Sequence, residues 1–391
     1  MLRARRETGG PWDEMPAVVL DNGSGNVKCG FAGDDVPKAV FGAITSHPRG
    51  SPTGPWLVGD DALKAKGQVY KYPIEHGIVT DWDGLERLWA HAFRELSVEP
   101  TEQAVLITEA PMNPTKNREK MAEVMFESFH VPGLHFQIQA VLTMYSAGRT
   151  DGLVLDSGDG ITHAVPIFEG HTIPGAVGRS DIAGRDLTEW MMELLSDETD
   201  RPFLTSSDRE IARTIKEKHC RVSQDFDVDY DGCENDPSWR ERHTVEYELP
   251  DGSSISVCKA TFCCPELLFN PQIAEKHSSS IQKLVYDSVQ QCPIDLRRTL
   301  YGTILLSGGT TMFPGVETRL QQEVAKLCNA RVADDVRVIA PNERKFSVWM
   351  GAAILSTLAS FTSEWVTSQE YHEQGPQVVH RRCDSLTFVG K

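Results

Sequence analysis

A short apolar run ending in Asp-x-Gly-x-Gly occurs twice in this chain, and that repeat constrains the fold more than any other feature. Val18-Val19-Leu20 runs into Asp21-Asn22-Gly23-Ser24-Gly25, and Leu153-Val154-Leu155 runs into Asp156-Ser157-Gly158-Asp159-Gly160, 135 residues further on. The copies stay in step past the glycines, where Asn26-Val27-Lys28 matches Ile161-Thr162-His163. Apolar runs of this length, stopped by a polar or glycine turn, fit strands buried on both faces of a sheet. Two further runs, Val105-Leu106-Ile107 and Ile304-Leu305-Leu306, stop at Thr108-Glu109-Ala110-Pro111 and Ser307-Gly308-Gly309. Between the runs lie helical stripes: Met121, Val124, Met125 and Phe129 after Pro114; Leu187, Trp190, Met191, Leu194 and Leu195; and Ile281, Leu284, Val285, Ser288, Val289 and Cys292. Strands alternating with helices predict α/β layers. The duplication predicts two related halves, each offering one glycine hairpin to a cleft at the strand ends.

A glycine-rich hairpin lets several backbone N–H groups converge on one point, because no Cβ blocks the approach. Convergent amides bind phosphate, and two such turns suit a polyphosphate. Ser24 adds a hydroxyl donor and Lys28 a point charge. Asp21 and Asp156 repel phosphate unless Mg²⁺ or Ca²⁺ intervenes, held through water. A single such turn is weak evidence and reads more readily as an ordinary tight hairpin; the second copy, with Lys28 in one and His163 in the other, favours phosphate. His163, beside the second turn, is placed to orient or deprotonate a water. A third turn, Ser307–Phe313, precedes a helical segment at 316–328. Its Gly308-Gly309 would let a flat ring lie on backbone with Met312 against its face, although alone it reads as a plain strand-to-helix turn. The Walker lysine pattern, the G-x-G-x-x-G dinucleotide turn and the G-x-S-x-G elbow are all missing from the sequence.

Composition narrows the field. At 391 residues the chain exceeds what one core serves, so two or more lobes are expected, interleaved because no low-complexity tract divides the middle. Lys+Arg 39 against Asp+Glu 56 leaves a net charge of −17, which disfavours a general nucleic-acid binder. No run approaches the roughly 18 apolar residues of a membrane span, and the N-terminus lacks a signal-peptide core. Nine cysteines without a CxxC pair, two of them adjacent at Cys263–Cys264, suit neither a disulfide framework nor tetrahedral zinc. A reduced, soluble, intracellular protein is expected. Residues 1–16, with Arg3, Arg5 and Arg6, read as a frayed basic leader; Glu7, Asp13 and Glu14 argue against the alternative, a mitochondrial presequence.

With these residues in hand the chain resembles actin and its close actin-related proteins. The matching words include Asp21–Gly25, Gly30-Phe-Ala-Gly-Asp-Asp35, Tyr72-Pro-Ile-Glu-His-Gly-Ile78, Thr108–Pro111, Asn117-Arg-Glu-Lys-Met121, Val154–Gly160, Ala183-Gly-Arg-Asp-Leu187, Ile215-Lys-Glu-Lys218, Leu306–Met312 and Glu343-Arg-Lys-Phe-Ser-Val-Trp349, in the family's order over roughly 17–383. The resemblance implies the actin-like ATPase fold of the sugar-kinase/heat-shock ATPase superfold, two lobes with four subdomains around a nucleotide cleft. It implies subdomain 1 at 1–42, 73–146 and 347–391, subdomain 2 at 43–72, subdomain 3 at 147–182 and 277–346, and subdomain 4 at 183–276. Carried over by matching position, Gly23, Ser24, Gly25, Asn26 and Lys28 form the first phosphate clamp, and Asp159, Gly160 and Ile161 the second. Asp21, Gln139 and Asp156 surround Mg²⁺ or Ca²⁺ and its waters. Gln139 and His163 position the attacking water, with Asp156 counted among the catalytic groups. Arg213, Lys216, Glu217, Gly309, Met312 and Lys345 enclose the nucleoside of ATP or ADP. The implied activity is slow ATP hydrolysis that times assembly, in a cytoplasmic, cytoskeletal protein that associates with itself or with other actin-family subunits.

The chain departs from the family at its surface. The segment between Arg49 and Gly59 is several residues shorter than the family's nucleotide-sensing, subunit-contacting loop, and Pro52 and Pro55 stiffen it. The loop that plugs across strands in actin filaments reads Ile273-Ala-Glu-Lys-His-Ser-Ser-Ser280, and burying Glu275 and Lys276 unpaired would cost several kcal/mol. Glu364 and His171 stand in the groove that receives partner helices, where actin carries apolar or aromatic groups. Asp384–Lys391 extends past the family's usual end, and the basic leader replaces an acidic N-terminus. Each change alone is compatible with a filament former; together they point to altered partners among actin-binding proteins. Two other classes stay open. A small-molecule kinase of the same superfold would use Asp159 as its base. A non-hydrolysing scaffold, in a chromatin-remodelling or dynein-activator complex, fits the short likeness at Thr162-His-Ala-Val-Pro-Ile167.

Overall fold

Alternate residues of one strand feed two different cores. In Val18–Asn22, Val18 and Leu20 pack with Leu88, Trp89, Ile107 and Phe136, whereas Val19 packs with Leu106, Leu142 and Trp349 on the other face. A strand covered on both sides has no polar face to show, which accounts for the unbroken apolar run. The computed structural model describes residues 15–50, 54–65 and 67–383. The basic residues of the leader, Pro52 and the Asp384–Lys391 extension lie outside the described residues.

The chain divides into two compact units, Met1–Thr150 with Glu169–Pro174 and Phe346–Lys391, and Asp151–Phe168 with Gly175–Lys345. In the first, the sheet runs in the order Val366–Thr367, Gly133–Ile138, Val105–Glu109, Val18–Asn22, Asn26–Phe31, Ala39–Gly42. Val18–Asn22, Val105–Glu109 and Gly133–Ile138 are mutually parallel; the hairpin onto Asn26–Phe31 is antiparallel. The helix Trp82–Leu96 covers one face, capped by the Asp81 carboxylate accepting from Gly84 N and closed by Ser97 in the left-handed region. Gln139–Ser146 and Ser347–Leu355 cover the other. A Cβ on Gly351 would overlap the Leu142 carbonyl oxygen, so those two helices meet backbone to backbone.

The second unit repeats this plan. Gly152–Ser157 pairs antiparallel with Thr162–Phe168 and parallel with Ile304–Ser307, which is parallel to Val338–Ile339. Helix Ile281–Gln291 buries Ile281, Leu284, Val285, Ser288 and Val289, the expected stripe, and Gly184–Glu198 buries Leu187, Met191 and Leu195. One stripe is read too simply from period alone. The helix Thr115–Glu123 gives way to a π turn over Val124–Ser128, whose wider winding puts Val124, Met125 and Phe126 into the core together.

The shortened segment near residue 55 sits beside a small sheet of Thr45–Pro48, Leu57–Val58 and Gln68–Lys71. Trp56 anchors it: the Arg87 guanidinium lies 4.4 Å and the His47 ring 4.7 Å from its ring centroid. Among the described residues, no helix is long and apolar enough to cross a membrane. All nine cysteines are free thiols.

Candidate functional site

The first hairpin is closed by Gly23 N donating to Asn26 O at 3.1 Å, with Asn22 opposite Val27 and Asp21 opposite Lys28. Asp21 is 1 % exposed and fully engaged. Its Oδ2 takes the Lys28 ammonium at 2.5 Å, and its Oδ1 accepts from Thr108 Oγ1 at 2.6 Å and Gln139 Nε2 at 3.3 Å. Gln139 opens its helix directly after the strand Gly133–Ile138, two strands away from Asp21. Ser24 Oγ accepts from Gly77 N at 3.0 Å, which leaves its own proton to give. Asn22 Oδ1 accepts from Trp89 Nε1 at 3.1 Å, while its buried Nδ2 has no protein acceptor.

The second hairpin is built to the same register. Gly158 N donates to Ile161 O at 3.0 Å, Ser157 lies opposite Thr162, and Asp156 lies opposite His163. The start of the helix Gly184–Glu198 grips this turn from behind: Gly184 N donates to Gly158 O and Arg185 N to Asp159 O, at 3.0 and 2.7 Å. Thr310 Oγ1 also donates to Gly158 O, at 2.6 Å. The Asp159 carboxylate takes Arg185 at 3.4 Å, and Gly160 and Ile161 are buried. His163 is 2 % exposed. Burial first, then the Arg179 charge, push its pKa down to about 4 against the opposing pull of Asp181. The ring is therefore neutral near pH 7, able to accept at one nitrogen and donate at the other.

The residues expected around a nucleoside all fall in the second unit but differ in posture. Lys216 is buried, and its ammonium donates to Gly184 O at 2.7 Å and Thr188 Oγ1 at 2.8 Å. It is turned inward, where it steadies the helix that grips the hairpin. Arg213 Nε donates to Glu217 Oε1 at 3.0 Å. Burial alone would raise the Glu217 pKa, but the Arg213 hydrogen bond and charge hold it below its ordinary value. Lys345 and Met312 are exposed, Met312 at the end of the 3₁₀ turn Gly309–Met312. Gly308 has φ +86°, and a Cβ there would fall inside Ser157 O and 3.0 Å from Asp156 Oδ1; a Cβ on Gly309 would meet nothing within 4 Å. The first glycine serves the fold, and the second leaves open surface.

In each unit the oxygens near the hairpin are of the kind that hold a hard cation through water, Asp21 and Gln139 in the first and Asp156 in the second, and no group of three or more His, Cys, Asp or Glu side chains among the described residues could cage a metal directly. The buried, unpaired Asn22 Nδ2 and the free Ser24 proton are donors suited to phosphate oxygens. Sequence reasoning missed Thr108, Thr310 and Gly184. Each acts through a neighbour remote in the chain: the strand stop at 108–111, the turn at 307–313 and the run at 183–187 hold the three letters, but nothing in those runs names the partner.

Also within the first unit, a cleft of about 330 Å³ is lined by Tyr145, His171, Leu355, Phe361, Glu364 and Arg382 among others. His135 forms its floor, buried and neutral, its pKa pushed down to about 4 chiefly by desolvation. A strand that ends in aspartate and turns through a glycine hairpin, built twice on one sheet plan, defines an α/β protein of duplicated design. The family model for actin matches residues 12–384, and the chain belongs to the actin family, with the actin-like ATPase fold.

Proposed function

We propose that this chain is an ATP-binding, actin-like cytoskeletal subunit that slowly hydrolyses ATP to time its assembly into a filament or complex in the cytoplasm. The observation that carries the reading is the pair of hairpins in equal register, with Lys28 at one position and neutral His163 at its equivalent. Gly23, Ser24, Gly25, Asn26 and Lys28 bind phosphate oxygens from the first unit, and Asp159, Gly160 and Ile161 from the second. A Mg²⁺ or Ca²⁺ ion supplies charge neutralisation of the triphosphate, with Asp21, Asp156 and Gln139 holding its water shell. Gln139 and His163 orient the attacking water, and the neutral imidazole is the form that can accept its proton. Arg213, Glu217, Gly309, Met312 and Lys345 face the nucleoside, while Lys216 supports it from beneath. The division into four subdomains at the boundaries given above belongs to this reading.

Calorimetry with ATP and Mg²⁺ tests it: a saturable heat of binding is expected, and none from the folded chain overturns it. Sedimentation over a concentration series, with ADP release followed in parallel, then reads assembly. A second reading, a scaffold subunit of a dynein-activator or other complex with little polymerisation, is favoured by the surface. Glu364 and His171 line the cleft, Trp56 anchors the short segment, and Glu275 and Lys276 are exposed rather than packed. Bound ATP that persists without conversion to ADP, in a chain that stays monomeric at high concentration, selects the scaffold.

A further inference from the structure

The side-chain amide of Gln139 is surrounded on its nitrogen side by three oxygens. Nε2 lies 3.3 Å from Asp21 Oδ1, 3.4 Å from Asn22 O and 3.3 Å from Thr108 Oγ1. The Asn22 carbonyl can only accept, and so can the Asp21 carboxylate ion-paired with Lys28. Thr108 could in principle donate, but its single proton is already given to Asp21 Oδ1 at 2.6 Å. Thr108 is 1 % exposed, so no water competes for that proton. All three oxygens therefore demand N–H from Gln139, and a flipped amide would set its oxygen against three acceptors.

We infer that Thr108 is a positioning residue that fixes the amide polarity of Gln139 through a one-way relay, Gln139 N–H to Thr108 O–H to the Asp21 carboxylate. The relay leaves Oε1, on the other branch of the amide, turned away from these oxygens as the group that accepts a hydrogen bond from the attacking water. The inference rests on the reading of Gln139 as a water-positioning group. The second unit sets a hydroxyl at the equivalent place, since Ser307 lies opposite Asp156 across the parallel pair. Thr108 occupies the next register step after Leu20 opposite Ile107. A hydroxyl beside the carboxylate is thus part of the duplicated plan.

The test compares Thr108→Val, which keeps shape and loses the hydroxyl, with Thr108→Ser, which keeps the hydroxyl, in the full chain. Single-turnover hydrolysis of bound ATP should slow by roughly tenfold to a hundredfold in T108V, with ATP affinity within about threefold of the parent, and T108S should recover most of the rate. Unchanged hydrolysis in T108V, or loss of affinity and rate by the same factor without rescue by T108S, overturns the inference. A nucleotide-free readout separates this from failure of the ATP reading. With ¹⁵N-glutamine labelling, the Gln139 side-chain amide should exchange its protons with solvent at least about tenfold faster in T108V than in the parent. Equal exchange shows that no relay exists, whatever the chain does with ATP.

Discussion

Gly308 and Gly309 are neighbours with opposite jobs, and alanine at each separates fold from ligand surface. At Gly308 the backbone sits at φ +86°, where a non-glycine residue costs roughly 1–2 kcal/mol. The new methyl would also strike Ser157 O and press on Asp156 Oδ1 at 3.0 Å, adding about 1–3 kcal/mol of overpacking. Gly308→Ala should therefore lose about 2–5 kcal/mol, and the displaced strand carries the second hairpin, so ATP binding should weaken too. At Gly309 the methyl meets nothing within 4 Å, and removing a glycine stiffens the unfolded chain, so stability should hold or rise by up to about 1 kcal/mol. Its methyl would stand on the open face where a purine ring is proposed to lie, so affinity should fall with stability intact. Urea unfolding and ATP titration of both variants decide the matter. G308A as stable as the parent refutes the packing argument; G309A binding ATP like the parent refutes the assignment of that face.

Gln139→Ala should slow hydrolysis at least about tenfold while ATP affinity changes little, read as a fall in single-turnover rate at constant Kd; equal losses would argue for a binding role. His135 and His163, both pushed down to about 4, make the folded state bind fewer protons than the unfolded chain, so their stability is full above about pH 6.5 and is lost as pH falls toward 4. Glu266, raised to about 7 by burial against the pull of Arg319, acts with the opposite sign, adding stability as pH falls below 7. The urea midpoint of Glu266→Gln should thus drop more steeply than the parent's from pH 7 to 5, and parallel slopes would contradict these signs. Trp56→Ala removes a ring that lies under the Arg87 guanidinium and tilts against His47, worth about 1 kcal/mol or less; limited proteolysis should then cut faster between residues 49 and 59, and an unchanged cleavage rate would show that the ring anchors nothing.

The strands and both hairpins were legible because apolar runs ending in Asp-x-Gly-x-Gly leave a two-sided buried strand few other conformations. The helical stripes at 187–195 and 281–289 were legible for the same reason, their period being that of one packed face. Thr108 was not, since its role depends on strand register between positions 87 residues apart. Lys216 is expected at the nucleoside from its place in Ile215–Lys218, and only the helix packing turns its ammonium inward onto Gly184. Gly308 and Gly309 are indistinguishable as letters; backbone angle and the nearness of Ser157 tell them apart. The π turn at 124–128 escaped because a heptad-like count cannot register one extra residue per turn.

The equal register of the two hairpins carries one last implication. Position 28 in the first copy and position 163 in the second are the same address on the same street plan, yet one houses a lysine paired with its carboxylate and the other an uncharged ring. Identical corners would offer the same groups in either copy. By letting the tenants of that one address diverge, a duplicated frame gives each half its own chemistry, an ion pair with the neighbouring carboxylate in one and a ring able both to accept and to donate a proton in the other.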